Sequence, residues 1–511
     1  LLQDVGRYSP LLLLGSLAVY IIYLRHFHAL HKVPGPYLAS ITQFYLLFVF
    51  LSGNQHWKYI ELHQRYGPVV RVGPNVVLIS DPKNIPEFAK WDKSDWWLAF
   101  RGHPHDIPHA NELDAELHKI KKRRVMGGYS LSQVLKNERQ MDGHIMEFIN
   151  QLSRRCGTVF DIAPWTQFAT FDVALEMAFS RPAGFIKTGT DVGGLIASLH
   201  ELFAVAGAMA LFPWTAKVLC HPWLFPLIGP KPTDKKGPGV MHGFAFQQVQ
   251  ARLAEKGAGT QRQDILQWIM DHEDRDGVRL TRGELEQEAI APVLAGSDTT
   301  ASTLRTIILY VSTNLRVQGK LLGEIDAADA RGLLSTPPTF DQVRQHVPYL
   351  DAVLKEALRL VPAGGTPFYR AVPAAGASVD GFFLPARTEV GISHWAVGRS
   401  TAVHGADATL FRPERWTDDI ADVDDAGRNE KRRLRDLSEV WFGAGNMMCT
   451  GRNVAQLEMY RMATQFFRSF AVEIVDPCRP WEEIGSLAMI HRDFLVKLTE
   501  RTKHAPAPAP S

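Results

Sequence analysis

Residues 441–452 read WFGAGNMMCTGR and place Cys449 among glycines, directly ahead of a helix-like run. The chain has only four cysteines, Cys156, Cys220, Cys449 and Cys478, widely spaced and without a CxxC pair, which points to a reducing compartment rather than a disulfide framework. A thiol in such a loop can be a core residue, a nucleophile or a metal ligand. Gly443, Gly445 and Gly451 allow backbone shapes and close approaches that a Cβ would block. Residues 451–470 continue as a helix, so amide groups and the positive helix end are expected to favour a thiolate at Cys449. No second Cys or His stands at zinc spacing. A single soft thiolate in a Gly-rich loop suits axial ligation of haem iron better than zinc.

Other residues with chemical potential lie upstream. In AGSDTT, residues 295–300, Asp298 is followed by Thr299 and Thr300 in a segment expected to be buried. The threonines can simply satisfy local carbonyls, or the acid and its neighbouring hydroxyl can relay protons. Glu356 and Arg359, three apart on one helical face, can form a bidentate ion pair. Alone, such a pair is usually a solvated surface feature. Arg415, behind a proline in FRPERW (411–416), could complete a triad.

The elements that must position these residues are mostly helical. Thr281 and Glu284 form a capping box that starts a helix expected to run past Leu309, buried on nearly all sides and kinked near Pro292 and Gly296. Helical patterns also cover 114–126 and 348–361, whereas VVRVGPNVVLIS (69–80) reads as a β-hairpin around a Gly-Pro-Asn turn. The chain is therefore expected to be mainly α with a minor β region. Its 511 residues, 46% hydrophobic and 22% charged, can bury a large core, and the absence of a long linker or repeat favours one catalytic domain. A formal net charge of +2 leaves no basic excess for a nucleic-acid partner. The uncharged stretch 8–24, followed by Arg25, three histidines and Lys32, reads as a membrane anchor with the rest of the chain on the cytosolic side; the stiff KVPGPYL segment then leads into the domain.

Four segments, in order, carry a resemblance. AGSDTT, EALR, FRPERW and FGAGNMMCTG are similar to the oxygen-activating, E-x-x-R, arginine-bearing and haem-loop motifs of the cytochrome P-450 superfamily of haem-thiolate monooxygenases. The likeness extends over nearly the whole chain, and LHKIKKRRV together with the anchor and proline hinge resembles microsomal fungal members of secondary metabolism. The resemblance implies a P-450 fold, with 1–32 as anchor, 33–502 as haem-thiolate domain and 503–511 as a flexible tail. It makes Cys449 the proximal ligand of haem b, with Phe442 packing beside the haem near the sulfur and Gly445 and Gly451 shaping the loop. Asp298 and Thr299 would deliver protons, and Arg370, His118 and Lys122 would hold the haem propionates. Glu356, Arg359 and Arg415 would brace the haem region. NADPH would act through a flavoprotein reductase, with cytochrome b5 as a second donor, at the endoplasmic reticulum membrane; the basic run 431–435 is a candidate docking surface.

The chain departs from the pattern at Met447, where an Arg or His usually contacts a propionate, and at Lys122, where Arg is usual. The apolar stretch 201–230, with 96–111, 363–368 and 487–490, is expected to line a pocket for a bulky apolar small molecule. Competing readings are a haem-thiolate enzyme of coupling, rearrangement or dehydration, and a non-enzymatic haem-binding membrane protein.

Overall fold

Leu350, Val353, Leu354, Ala357 and Leu358 fall three and four apart along the helix Tyr349–Leu360, and all are buried. Each such Leu or Val contributes about 1.5–3 kcal/mol by leaving water, and this pattern recurs through the chain. The computed structural model describes residues 2–255, 262–274, 277–417 and 439–501; the basic run 431–435 and the tail 503–511 lie outside them. Tyr349–Leu360 packs against the central helix Asp298–Thr313, which also meets Ala163–Phe179 and Arg452–Ser469. The central helix is thereby enclosed, as its apolar content requires.

The expected single long helix is instead three consecutive segments, Arg282–Glu288, Ile290–Ala295 and Asp298–Thr313. The capping box forms at Thr281. The first break, at Ala289, puts Pro292 in the first turn of the next segment, where its missing N–H is no loss. The second lies at Gly296, where a Cβ would sit 2.6 Å from the Ala174 Cβ, so close helix packing requires glycine. Two interruptions replace the one kink because each helix-breaking feature is met by its own local packing.

The hairpin forms as expected, Val69–Gly73 pairing antiparallel with Val76–Ile79, both strands buried throughout. Val76–Ile79 pairs in parallel with Glu389–Ile392, whose other edge takes Arg370–Ala371 antiparallel. This sheet brings Arg370 to the site. The proline hinge is fastened to it: the Pro34 carbonyl accepts the Arg71 amide at 2.7 Å, and a Cβ on Gly35 would lie 2.1 Å from the Arg71 carbonyl oxygen. Before the hinge, Leu2–Ile22 is helical, with Leu11 to Leu14 each more than 60% exposed. Its apolar part, Leu11–Phe27, is shorter than a full span; among the described residues only Val192–Ala210 is long and apolar enough to cross a bilayer, and that segment is packed into the fold.

Candidate active site

The loop before Arg452–Ser469 owes its shape to two glycines. Gly443 has φ +88° and a Cβ there would lie 2.6 Å from the Met447 carbonyl oxygen; Gly445 has φ +62° and would meet the Ala89 oxygen at 2.7 Å. The fold closes as the Cys449 amide donates to the Phe442 carbonyl at 2.6 Å, while Gly451 caps the helix. Cys449 is exposed, yet protein surrounds it closely enough that desolvation pushes its thiol pKa up. The amides of Gly451 and Arg452 and the charges of Lys122 and Arg452 oppose that shift, and burial prevails. The loop and helix end do favour the thiolate, as expected, but desolvation outweighs them.

Around the loop stand four basic side chains. Arg370, 3% exposed, donates to the carbonyls of Ala89 (2.7 Å), Trp91 (2.9 Å) and Ala444 (2.8 Å). Lys122 donates to those of Asn446 (2.7 Å) and Met448 (3.0 Å), and His118 hydrogen-bonds with the Asn446 and His109 carbonyls. The fourth, Lys93, was not singled out from sequence; it donates to the carbonyls of His109, Ala110 and Glu112 and lies 3.1 Å from the His118 Nδ1. No local signal marked it, because what places it is a β-bridge to distant Arg370. Burial, with the charges of Lys122 and Arg370, pushes Lys93 down to about 7, against the pull of Glu112. None of the four forms an ion pair among the described residues; their hydrogen bonds go mainly to neutral carbonyls, with Glu112 and Asp92 acting only at longer range. A dianionic group beside Cys449 would neutralise this charge, which is what haem propionates require. Met447 adds no charge to the set.

A cavity of about 460 Å³, almost wholly apolar, is walled by Trp96, Phe203, Leu294, Phe368 and Leu487 and reaches Thr299. The stretch 201–230 contributes much of it, as expected; from 363–368 only Phe368 does, and from 487–490 only Leu487 and Ala488. Thr299 donates its hydroxyl to the Ala295 carbonyl at 2.9 Å across the second helix break. Asp298 turns elsewhere. Its carboxylate, 1% exposed, accepts from the Gln167 Nε2 at 2.5 Å and hydrogen-bonds with His200 at 3.2 Å. The two neighbours in sequence are therefore not brought together by their side chains, and no hydrogen bond joins them among the described residues. His200, one-fifth exposed at its side chain, connects the acid to the outer layer and had no motif to reveal it.

Glu356, Arg359 and Arg415 do converge. The Arg359 Nε and Nη2 donate to the two Glu356 oxygens at 2.8 and 2.7 Å, and the Arg415 Nε donates to one of them at 3.0 Å. The Trp416 indole and Arg412 amide complete the carboxylate's shell, each at 2.8 Å. Glu356, Arg359 and Arg415 are buried, and the remaining guanidinium donors of Arg359 tie down the Gly398, Ala408 and Leu410 carbonyls.

A helical fold with a buried Glu-Arg-Arg cluster, a glycine-shaped cysteine loop and unneutralised cations defines a haem-thiolate protein. The sequence matches the family Cytochrome P450 over residues 33–498, and the chain belongs to that family. It is 32% identical over 497 residues to a cytochrome P450 monooxygenase of Aspergillus terreus, covering 92% of this chain and 97% of the relative. It is 33% identical over 485 residues to cytochrome P450 monooxygenase gsfF of Penicillium aethiopicum (91% and 93%), and 30% over 484 residues to aba1 of Botryotinia fuckeliana (92% of each). The protein is a haem-iron monooxygenase.

Proposed function

We propose that the chain oxidises a bulky apolar small molecule, an intermediate of fungal secondary metabolism, with Cys449 as the axial ligand of haem b. The observation that carries this reading is a Cys449 thiol in a glycine-shaped loop ringed by basic side chains, together with a large apolar cavity that reaches Thr299. Haem held there supplies dioxygen activation, using electrons that NADPH passes through a flavoprotein reductase, with cytochrome b5 as an alternative donor. The chain's own residues do the rest. Arg370, Lys122, His118 and Lys93 receive the propionates in place of carbonyls, and the Glu356 cluster holds the segment behind the loop. Thr299 can release the Ala295 carbonyl and donate toward the cavity, while Asp298, linked to His200, replenishes protons from the outer layer. The apolar walls exclude water.

Domain limits of 1–32 for a single-pass anchor, 33–502 for the catalytic domain and 503–511 for the tail fit this reading, with the catalytic domain on the cytosolic face of the endoplasmic reticulum. Phe44, Phe48 and Leu51 are at least 65% exposed on the helix Phe44–Leu51, which packs against the helix Leu195–Ala210; Trp214, Trp223 and Leu227 are similarly exposed further along the 201–230 stretch. Such a rim suits the headgroup region of a bilayer. Turnover of a metabolite panel with NADPH and a fungal reductase tests the function: oxygenated product dependent on both supports it, and haem binding without any reductase-supported oxidation contradicts it.

A further inference from the structure

One end of the cavity breaks its apolar character. Arg101, His242 and Gln287 all line it, from a loop, the helix Pro238–Glu255 and the helix Arg282–Glu288. They meet around Gly102, where a Cβ would lie 2.7 Å from the His242 Cε1 and 2.9 Å from the Gln287 Oε1. None of the three side chains has a hydrogen-bond partner among the described residues, and the Arg101 Nε and Gln287 Oε1 are buried without one. Arg101 has no ion pair either: Glu112, which feels its charge, has its two oxygens taken by Lys121 and by the amides of Leu113 and Asp114.

Polar groups left unpaired in an apolar wall cost free energy unless a ligand completes them. Arg101 can only donate, and a neutral His242 donates through one ring nitrogen; the Gln287 atom that faces the cluster is Oε1, so Gln287 donates there once its amide turns over to present the nitrogen. His242 is held neutral, its pKa pushed down to about 4 by burial and the neighbouring His103 against the pull of Asp234. Three donors, one of them permanently charged, suit an anionic pair of oxygens better than a hydroxyl.

We propose that Arg101, His242 and Gln287 form a carboxylate-recognition site, so that the substrate is an apolar carboxylic acid held by its acid end. Gln287, Ala291, Ala295 and Thr299 follow one another at four-residue intervals along one line of the cavity wall. That line crosses both helix breaks, and twelve residues separate its ends. The acid is thereby kept away from Thr299, and oxidation falls at the far end of the apolar body. The inference rests on the monooxygenase reading and specifies its substrate class.

The test is spectral titration of the haem-loaded enzyme with lauric, palmitic, abietic and retinoic acids, each beside its methyl ester. At least one acid is expected to shift the haem spectrum at a tenfold lower concentration than its ester, and Arg101→Gln is expected to remove that preference while leaving ester binding unchanged. If no acid binds better than its ester in the parent, or if the preference survives Arg101→Gln, the proposal is overturned. The parent comparison needs no variant to fold, and Gln287→Leu, expected to weaken the same preference, gives a second reading. The reduced carbon monoxide spectrum, recorded on every sample, reports the haem-thiolate site separately, so loss of the acid site and failure of the enzyme reading are told apart.

Discussion

At the scale of single residues, the account turns on which polar groups lose a partner when one is removed. Arg370 serves three buried carbonyls and, in the proposed function, a propionate. Arg370→Ala is expected to cost about 2–5 kcal/mol of haem-site stability and to yield protein largely free of haem. Met447→Arg added to it should restore part of the occupancy by returning a bidentate donor. Haem per polypeptide in the two variants and the parent decides this; full occupancy in Arg370→Ala would show that Lys93, Lys122 and His118 suffice. Thr299 and Asp298 separate by a different measurement. Thr299→Ala is expected to keep haem but divert NADPH into peroxide, whereas His200→Phe, which cuts the link from Asp298 outward, should slow product formation with the haem spectrum unchanged. A product-to-NADPH ratio unaltered by Thr299→Ala would make it a helix-capping hydroxyl only.

At the scale of elements, what could be read in advance was what neighbours in sequence determine. The hairpin follows from alternating valines about a Gly-Pro-Asn turn, the cap at Thr281 from a hydroxyl and carboxylate three apart, and the cysteine loop from its glycines. The Glu356 to Arg359 spacing announced a pair, but its full burial depends on Arg415 arriving from another segment. What could not be read depends on long-range contact: Lys93 reaching its place beside Arg370, Asp298 turning to Gln167 and His200, and the second helix break set by Ala174. The amides expected to favour a thiolate do act on Cys449, but the desolvation that opposes them is a property of the whole site and had no local signal. Glu356→Gln tests the element-level claim. With two guanidinium groups left around a neutral amide in a dry interior, about 3–5 kcal/mol should be lost, read as a lower melting temperature and haem release; a melting temperature matching the parent would remove the cluster from the account.

At the scale of the whole molecule, burial sets the response to pH. His63, His404 and His491 are held near pKa values of about 4, 3 and 3, chiefly by desolvation. The unfolded chain takes up these protons below pH 6.5 while the folded chain refuses them, so stability falls as pH drops from 6.5 toward 4, by about 2 kcal/mol per residue at pH 5. Glu389, pushed up to about 7 by burial, and Glu458, also raised by burial, act in the opposite sense above pH 4.5, so the steepest loss should lie below it. Thermal melts between pH 7 and 4 check this; a flat melting temperature down to pH 4 would contradict it. The apolar rim gives a second test: serine at Phe48 and Trp223 together should reduce vesicle binding of a chain lacking residues 1–32, measured by flotation. The central claim is that this fold exists to hold haem iron by Cys449, and the reduced carbon monoxide difference spectrum tests it most directly. The parent and the variants Cys156→Ala, Cys220→Ala and Cys478→Ala should all show the red-shifted Soret band of thiolate ligation, and Cys449→Ala should lose it; a band that persists in Cys449→Ala would contradict the account.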